Sequence, residues 1–213
     1  MSTGGPRRPL SAGRIVRAAM DLIDERGLEA LTMRRLGAEL GVEAMSLYKH
    51  VRGKEAILDG VRELLLAELA ASGPAAGRDW REALLRFARA YRALARAHPG
   101  SFALLAAAPE RAYVAGSDVA EAAIARLLEG GFERAAAIRA LRTVIRYVIG
   151  ASMVERAAGD EAAPVGADEL AALSTARPLV GELVGSLGTP GDEALFEFGL
   201  AALVAGFERL RGG

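Results

Sequence analysis

The chain has 213 residues, 52% of them hydrophobic and 25% charged, and its 27 Lys and Arg are balanced by 27 Asp and Glu. That composition describes a folded globular protein of one large or two small domains and excludes a disordered chain. The absence of cysteine and the presence of only two histidines exclude disulfides, thiolate chemistry and histidine-rich metal sites within one chain.

No uncharged apolar run approaches the roughly 18 residues of a membrane span. Residues 1–11, MSTGGPRRPLS, carry basic side chains with no apolar stretch behind them and so make no secretory signal. A cytoplasmic protein is expected. The first nine residues read as a solvated arm, with Arg7 and Arg8 within reach of a DNA phosphate or minor groove.

Ser11 caps a predicted helix that runs to Arg26 and stops at Gly27. Ile15, Val16, Ala19, Leu22 and Ile23 give it one continuous apolar face. Arg14 and Arg17 lie off that face, where they can touch a DNA backbone.

Leu31 to Lys54, LTMRRLGAELGVEAMSLYKHVRGK, predicts two short helices joined at Gly41-Val42. Thr32 is placed to cap the first, although Arg35 stands where a capping box wants Glu or Gln. Leu31, Leu36 and Leu40 form its apolar side, and Gly41 suits a sharp turn. In the second helix, about Glu43 to His50, a rotation of about 100° per residue places Leu47 and Val51 inward. Met45 and Lys49 then point away, flanked by Ser46 and Tyr48. A surface helix rarely presents Met and Tyr outward together; one lying in a major groove does, because apolar atoms meet thymine methyls while Lys meets guanine or phosphate.

Leu31-Thr32, Arg34, Leu36, Leu40-Gly41-Val42, Ser46-Leu47-Tyr48, His50-Val51, Lys54 and the following Ala56-Ile57-Leu58-Asp59 resemble the DNA-binding domain of the TetR family of transcriptional regulators. The resemblance and the wheel together select Arg34, Ala44, Met45, Ser46, Tyr48, Lys49, His50 and Lys54 for DNA. Ala44, Met45 and Lys49 are assigned to base edges, and Ser46, Tyr48, His50 and Lys54 to phosphates. A packing role for His50 stays open, and Arg34 reads guanine or binds phosphate. No Asn, Gln or Arg stands on the second helix, so part of the specificity is expected from thymine contacts and DNA shape. Residues 1–58 hold 10 Lys and Arg against 7 Asp and Glu, a net of +3, which suits a nucleic-acid module.

Gly53 leads into a helix from Lys54 to Ala71 whose free amides favour a phosphate at its start. Ile57, Leu58, Val61, Leu64, Leu65, Leu66 and Leu69 cover more than half its circumference, so it is expected to be buried on two sides. Residues 72–77 read as a linker. Helices follow over Asp79–Ala97, a short apolar piece from Pro99 to Ala108, and Ser117–Glu129 with Ser117 as cap. The longest runs from Glu133 to about Ala157. Gly159–Ala167 reads as a loop, one or two helices fill Asp168–Leu187, and a last one starts at Gly191-Asp192 and ends near Leu210. The predicted fold is all-α: an N-terminal three-helix helix-turn-helix domain, residues 1–58, followed by a helical domain, residues 59–213, with helix 54–71 linking the two.

The family resemblance implies that the second domain binds a small molecule and forms a homodimer. Its pairing helices correspond to the segments near 133–157 and 192–210, where Gly150, Ala151, Ser152 and Gly199, Ala202, Gly206 allow close approach. The implied partners are a double-stranded DNA operator, a second copy of the chain and a small-molecule effector. Trp80, Phe87, Tyr91, Phe102, Leu105, Tyr147 and Met153 are the candidates to line the effector pocket. Ten of the 11 aromatics lie beyond residue 75, which a larger core alone would also produce. Arg142 and Arg146 face solvent or, turned inward, imply an anionic effector. Tetracycline-type members of the family hold a magnesium–drug chelate with a histidine. His98-Pro99 sits at a helix boundary beside an apolar region, so tetracycline is not expected. No cofactor, metal site or catalytic group is expected, since no phosphate loop, nucleophile elbow or paired metal-binding histidines occur. The function read from the sequence is a ligand-released repressor, with an activator or a ligand-independent regulator as the alternative.

Overall fold

Ser11 opens the first helix by accepting the Arg14 amide on its Oγ at 3.3 Å, and Gly27 closes it by turning to φ 80°. Between them, α1 (Ala12–Arg26) buries Ile15, Val16, Ala19, Met20, Leu22 and Ile23 along one face. The structure is a computed structural model that describes residues 9–73, 75–160, 165–186 and 193–211, with the backbone alone for 158–160. Arg7, Arg8, Pro74, residues 161–164 of the expected 159–167 loop and the Gly191-Asp192 start lie outside the described residues.

A single 3-10 turn, Leu28–Ala30, which the sequence pattern does not reveal, leads to α2 (Met33–Leu40). Thr32 Oγ1 caps α2 by accepting the Arg35 amide at 3.1 Å. The Arg35 guanidinium donates to the Ala30 carbonyl, so it serves this corner instead of completing a capping box. Gly41 ends α2 in the left-handed region at φ 67°, ψ 33°. The next helix, α3, covers only Ala44–Leu47, and the expected continuation to His50 is a turn, with the His50 and Val51 amides both donating to the Leu47 carbonyl. Gly53, at φ 110°, starts α4 (Lys54–Ala71).

Beyond α4 come α5 (Trp80–Ala97), α6 (Ala103–Ala107), α7 (Pro109–Ala115) and α8 (Ser117–Glu129). Asp79 caps α5 by accepting the Arg81 and Glu82 amides, both at 2.9 Å. Pro109 has no amide hydrogen to donate and begins α7, a helix beyond the apolar piece expected to end at Ala108. Ser117 is the first residue of α8 rather than its cap, because α7 runs directly into it through Gly116. The remaining helices are α9 (Arg134–Asp160), α10 (Ala167–Ala176), α11 (Pro178–Ser186) and α12 (Glu193–Leu210). No strand occurs among the described residues, so the fold is all-α. No helix among them is long and apolar enough to cross a membrane.

The chain divides into two compact units, residues 1–130 and 131–213. The first extends well past the helix-turn-helix because α4 packs on α1 along one side and on α5–α8 along the other. Leu58, Val61, Leu65, Leu66 and Leu69 are buried around its circumference, as its sequence requires. The contact with α1 is close: a Cβ on Gly60 would run into the Val16 side chain. Trp80, Leu84, Phe87, Tyr91, Leu94, Phe102, Leu104, Leu105 and Leu127 make the deeper core of this unit. In the second unit, α9 pairs with α12 and α10 with α11. Ala137, Leu141, Val144 and Val148 of α9 are buried, as are Phe196, Leu200 and Phe207 of α12.

Candidate nucleic-acid interface

The helix-turn-helix is locked from beneath. Leu36 and Leu47 are fully buried, as are Ile15, Ile23, Leu31 and Ile57, and α3 packs on α2, which packs on α1. Gly37 is buried where α2 meets the turn. A Cβ there would stand 2.8 Å from the Val42 carbonyl oxygen and 3.1 Å from the Ala44 nitrogen, so the turn approaches as closely as a glycine permits.

Leu47 and Val51 face the interior, at 0% and 8% exposure. Met45 is 71% exposed and Tyr48 50%, with Lys49 and His50 exposed beside them and Ala44 and Ser46 half-buried at the edge. Lys54 is exposed at the start of α4, and Arg34 is exposed on α2. Of the eight residues selected from the sequence, six are exposed, His50 among them, and Ala44 and Ser46 are half-buried. Arg52, also exposed, lies two residues before Lys54 and is absent from that selection. Its position in the turn ahead of a helix start is the signal that points to it. No side chain caps α4, whose first amides and positive dipole end lie beside Lys54.

Among the aromatic candidates, Trp80, Phe87, Tyr91, Phe102 and Leu105 are each at most 4% exposed and belong to the interior of the first unit. Tyr91 joins two of them: its ring stacks on Phe87 at 5.8 Å and meets Phe102 at 5.0 Å, tilted by 59°. Burial, with a smaller contribution from Tyr113, pushes the Tyr91 hydroxyl above the ordinary phenol range. Tyr147, Met153, Arg142 and Arg146 lie on α9 in the second unit. Tyr147 is half-buried against α12, Met153 is 51% exposed, and Arg142 and Arg146 are exposed. His98 is held elsewhere: its Nδ1 lies 2.9 Å from Asp24 Oδ2 and its Nε2 3.0 Å from Glu68 Oε2. Among the described residues, no cluster of three or more His, Asp or Glu is arranged to hold a metal ion.

Residues 15–61 match the family described as "Bacterial regulatory proteins, tetR family", and residues 73–211 match "Tetracyclin repressor-like, C-terminal domain". The chain is 36% identical to the class A tetracycline repressor from transposon 1721 of Escherichia coli, over 95% of this chain and 92% of that one. A solved structure of a TetR variant from Acinetobacter baumannii AYE, in complex with minocycline, superposes with a TM-score of 0.70 at 32% identity, covering 96% of both chains. The Streptomyces coelicolor TetR family protein ActR, in complex with actinorhodin, does so with a TM-score of 0.77 at 29% identity, covering 97% of this chain and all of that one. A helix-turn-helix with an exposed Met45–Tyr48–Lys49 face, followed by a helical domain of the tetracycline-repressor type, makes the chain a member of the TetR family of bacterial transcriptional regulators, with a DNA-binding and a ligand-binding domain.

Proposed function

We propose that the chain is a homodimeric repressor that binds a palindromic operator and is released from it by a small molecule. The observation that carries the reading is the outward Met45, Tyr48 and Lys49, on α3 and the turn that follows it, beside the buried Leu47. Water does not favour such a face, and a major groove does: Met45 and Ala44 meet thymine methyls, and Lys49 reaches guanine or phosphate. Ser46, Tyr48, His50, Arg34 and Lys54 bind phosphates and fix the register. Residues 1–58 act as the reading head, and α4 carries its position to α5–α8.

Dimerisation is supported by apolar side chains left outward on α9 and α12: Val154 is 70% exposed, Phe198 74%, Leu195 63% and Met153 51%. Such a patch on a single chain marks an association surface. A two-fold dimer sets two α3 helices about 34 Å apart, one for each half-site of a palindrome. Sedimentation at micromolar concentration is expected to give a dimer, and a monomer would contradict this part.

The effector is proposed to be a multi-ring aromatic compound contacting the aromatic set around Tyr91. Minocycline and actinorhodin, bound by the two similar proteins above, are of this class. Release requires that the effector prefer an arrangement that DNA does not, with a coupling of about 1–3 kcal/mol. A thermal-shift screen of such compounds, followed by operator titration, tests it. The true effector must weaken operator binding, and operator must weaken effector binding equally; a compound that binds without either effect overturns the release mechanism. A reporter gene repressed by the chain supports repression, and one stimulated by it identifies an activator.

A further inference from the structure

We propose that Asp24 is a positioning residue for DNA binding, the anchor by which the turn between α5 and α6 holds the helix-turn-helix in its DNA-competent place. The proposal rests on the reading of the chain as a DNA-binding regulator. Asp24 stands at the C-terminal end of α1, and its partners lie more than 70 positions along the chain. Its Oδ1 accepts the Ser101 amide at 2.7 Å, and its Oδ2 lies 2.9 Å from His98 Nδ1. Ser101, fully buried, donates its hydroxyl to the Met20 carbonyl one turn earlier on α1. Between these contacts Gly100 presses so closely on the backbone of Ile23 and Asp24 that a Cβ has no room. The other face of His98 meets Glu68 of α4 at 3.0 Å, so one imidazole touches both helices that flank the helix-turn-helix. Further along, the nearly buried Arg62 of α4 donates to the Leu104 carbonyl of α6 and to Asp59.

These links differ in kind from the apolar packing of α1 on α4. Packed aliphatic side chains tolerate small slides, whereas hydrogen bonds to a carboxylate weaken steeply with distance and angle. A shift of the 98–101 turn away from α1 breaks the Asp24 and Met20 contacts together, which gives the joint two discrete states instead of a continuum. α1 buries Ile15, Ala19 and Ile23 and packs on α2, which in turn packs on α3, so the joint sets how the recognition helix is held. While it is closed, the headpiece is preorganised; opened, only a fraction of the chains present the binding geometry, and apparent affinity falls by that fraction.

The test compares full-length wild type, Asp24→Ala, Asp24→Asn, His98→Gln and Gly100→Ala on a duplex enriched by the wild-type chain from a random-sequence pool. Asp24→Ala is expected to weaken binding by about 5- to 150-fold, the range of ordinary coupling between sites. Asp24→Asn, which keeps an oxygen for the Ser101 amide, should lose less. Gly100→Ala, which keeps every polar group but wedges the turn off α1, should resemble Asp24→Ala. His98→Gln combined with Asp24→Ala should cost less than the two separate losses multiplied. Hydrogen exchange must show the Ser101 amide unprotected in Asp24→Ala while α1–α3 stay protected, and the salt dependence of binding must keep its slope because the phosphate contacts are intact. A purely structural role would instead lower the melting temperature and leave the affinity of the folded fraction unchanged. Affinity within twofold of wild type with Ser101 exposed would overturn the proposal. Failure of the wild-type chain to enrich any duplex would refute the regulator reading itself.

Discussion

The Tyr147 hydroxyl of α9 donates a 2.8 Å hydrogen bond to the Phe196 carbonyl of α12, and the two rings stack at 5.4 Å. The aromatic ring occupies the place a Cβ on Gly199 would take, which makes Gly199 the residue that lets the two helices approach. Gly199→Ala is therefore expected to destabilise the second unit by about 1–3 kcal/mol through overpacking. Tyr147→Phe, which removes one hydrogen bond, should cost about 1 kcal/mol. Thermal unfolding of both variants checks the order; equal stability of Gly199→Ala and wild type would contradict the packing described.

Gly37 makes a sharper prediction. With the Val42 carbonyl oxygen and the Ala44 nitrogen in the way, a methyl group at Gly37 must displace backbone rather than a side chain. Gly37→Ala should cost about 1–3 kcal/mol of stability and shift α3 on α2, lowering operator affinity about tenfold, or 1.4 kcal/mol. Unfolding curves and DNA titration measured on the same preparation separate the two effects.

Lys54 and Met45 differ in what they control. Lys54→Ala should weaken binding to all duplexes alike and lower the salt slope by about one. Met45→Ala should alter the preference among operator variants while leaving that slope alone. Operator variants titrated at several salt concentrations give both readings. An unchanged preference with Met45→Ala would remove Met45 from the base contacts.

Acid provides a fourth check. The amide of Glu82, then that of Arg81 and the nearby Arg81 and Arg78 charges, hold the Asp79 carboxyl below its ordinary value of 3.8, with desolvation opposing them. A carboxylate depressed in the folded state adds stability that is fully present above its unfolded value and is lost as pH falls through the folded one. Asp79→Asn should thus be less stable than wild type at neutral pH, and the two should converge below about pH 4. Thermal unfolding across that range decides it; parallel curves would contradict the cap's contribution.

Much of the reading head was legible because its constraints are local. Thr32, Gly41 and the spacing of Leu36, Leu47 and Val51 act within a few residues, and each marks a cap, a turn or a buried face. The end of α3 was less so: the sequence Tyr48-Lys49-His50 is compatible with helix, yet the structure closes it as a turn. Ser117 has the chemistry of a cap but no free helix start to act on, since α7 ends at Ala115. Pairings such as Asp24 with His98 or Tyr147 with Phe196 span 74 and 49 positions, and no local pattern announces them. The aromatic candidates show the same limit. Composition gathers Phe87, Tyr91 and Phe102 on one side of the chain, while the structure alone reveals that Tyr91 joins the other two.

The most direct test of the account is a footprint on a duplex selected by the full-length chain. Two protected half-sites about 34 Å apart, centred on a palindrome, are predicted. Replacing Met45, Tyr48 and Lys49 together by alanine should abolish that pattern while the variant still sedimented as the wild type does. A footprint that survives the triple replacement, or a wild-type chain that protects no preferred sequence, would contradict it.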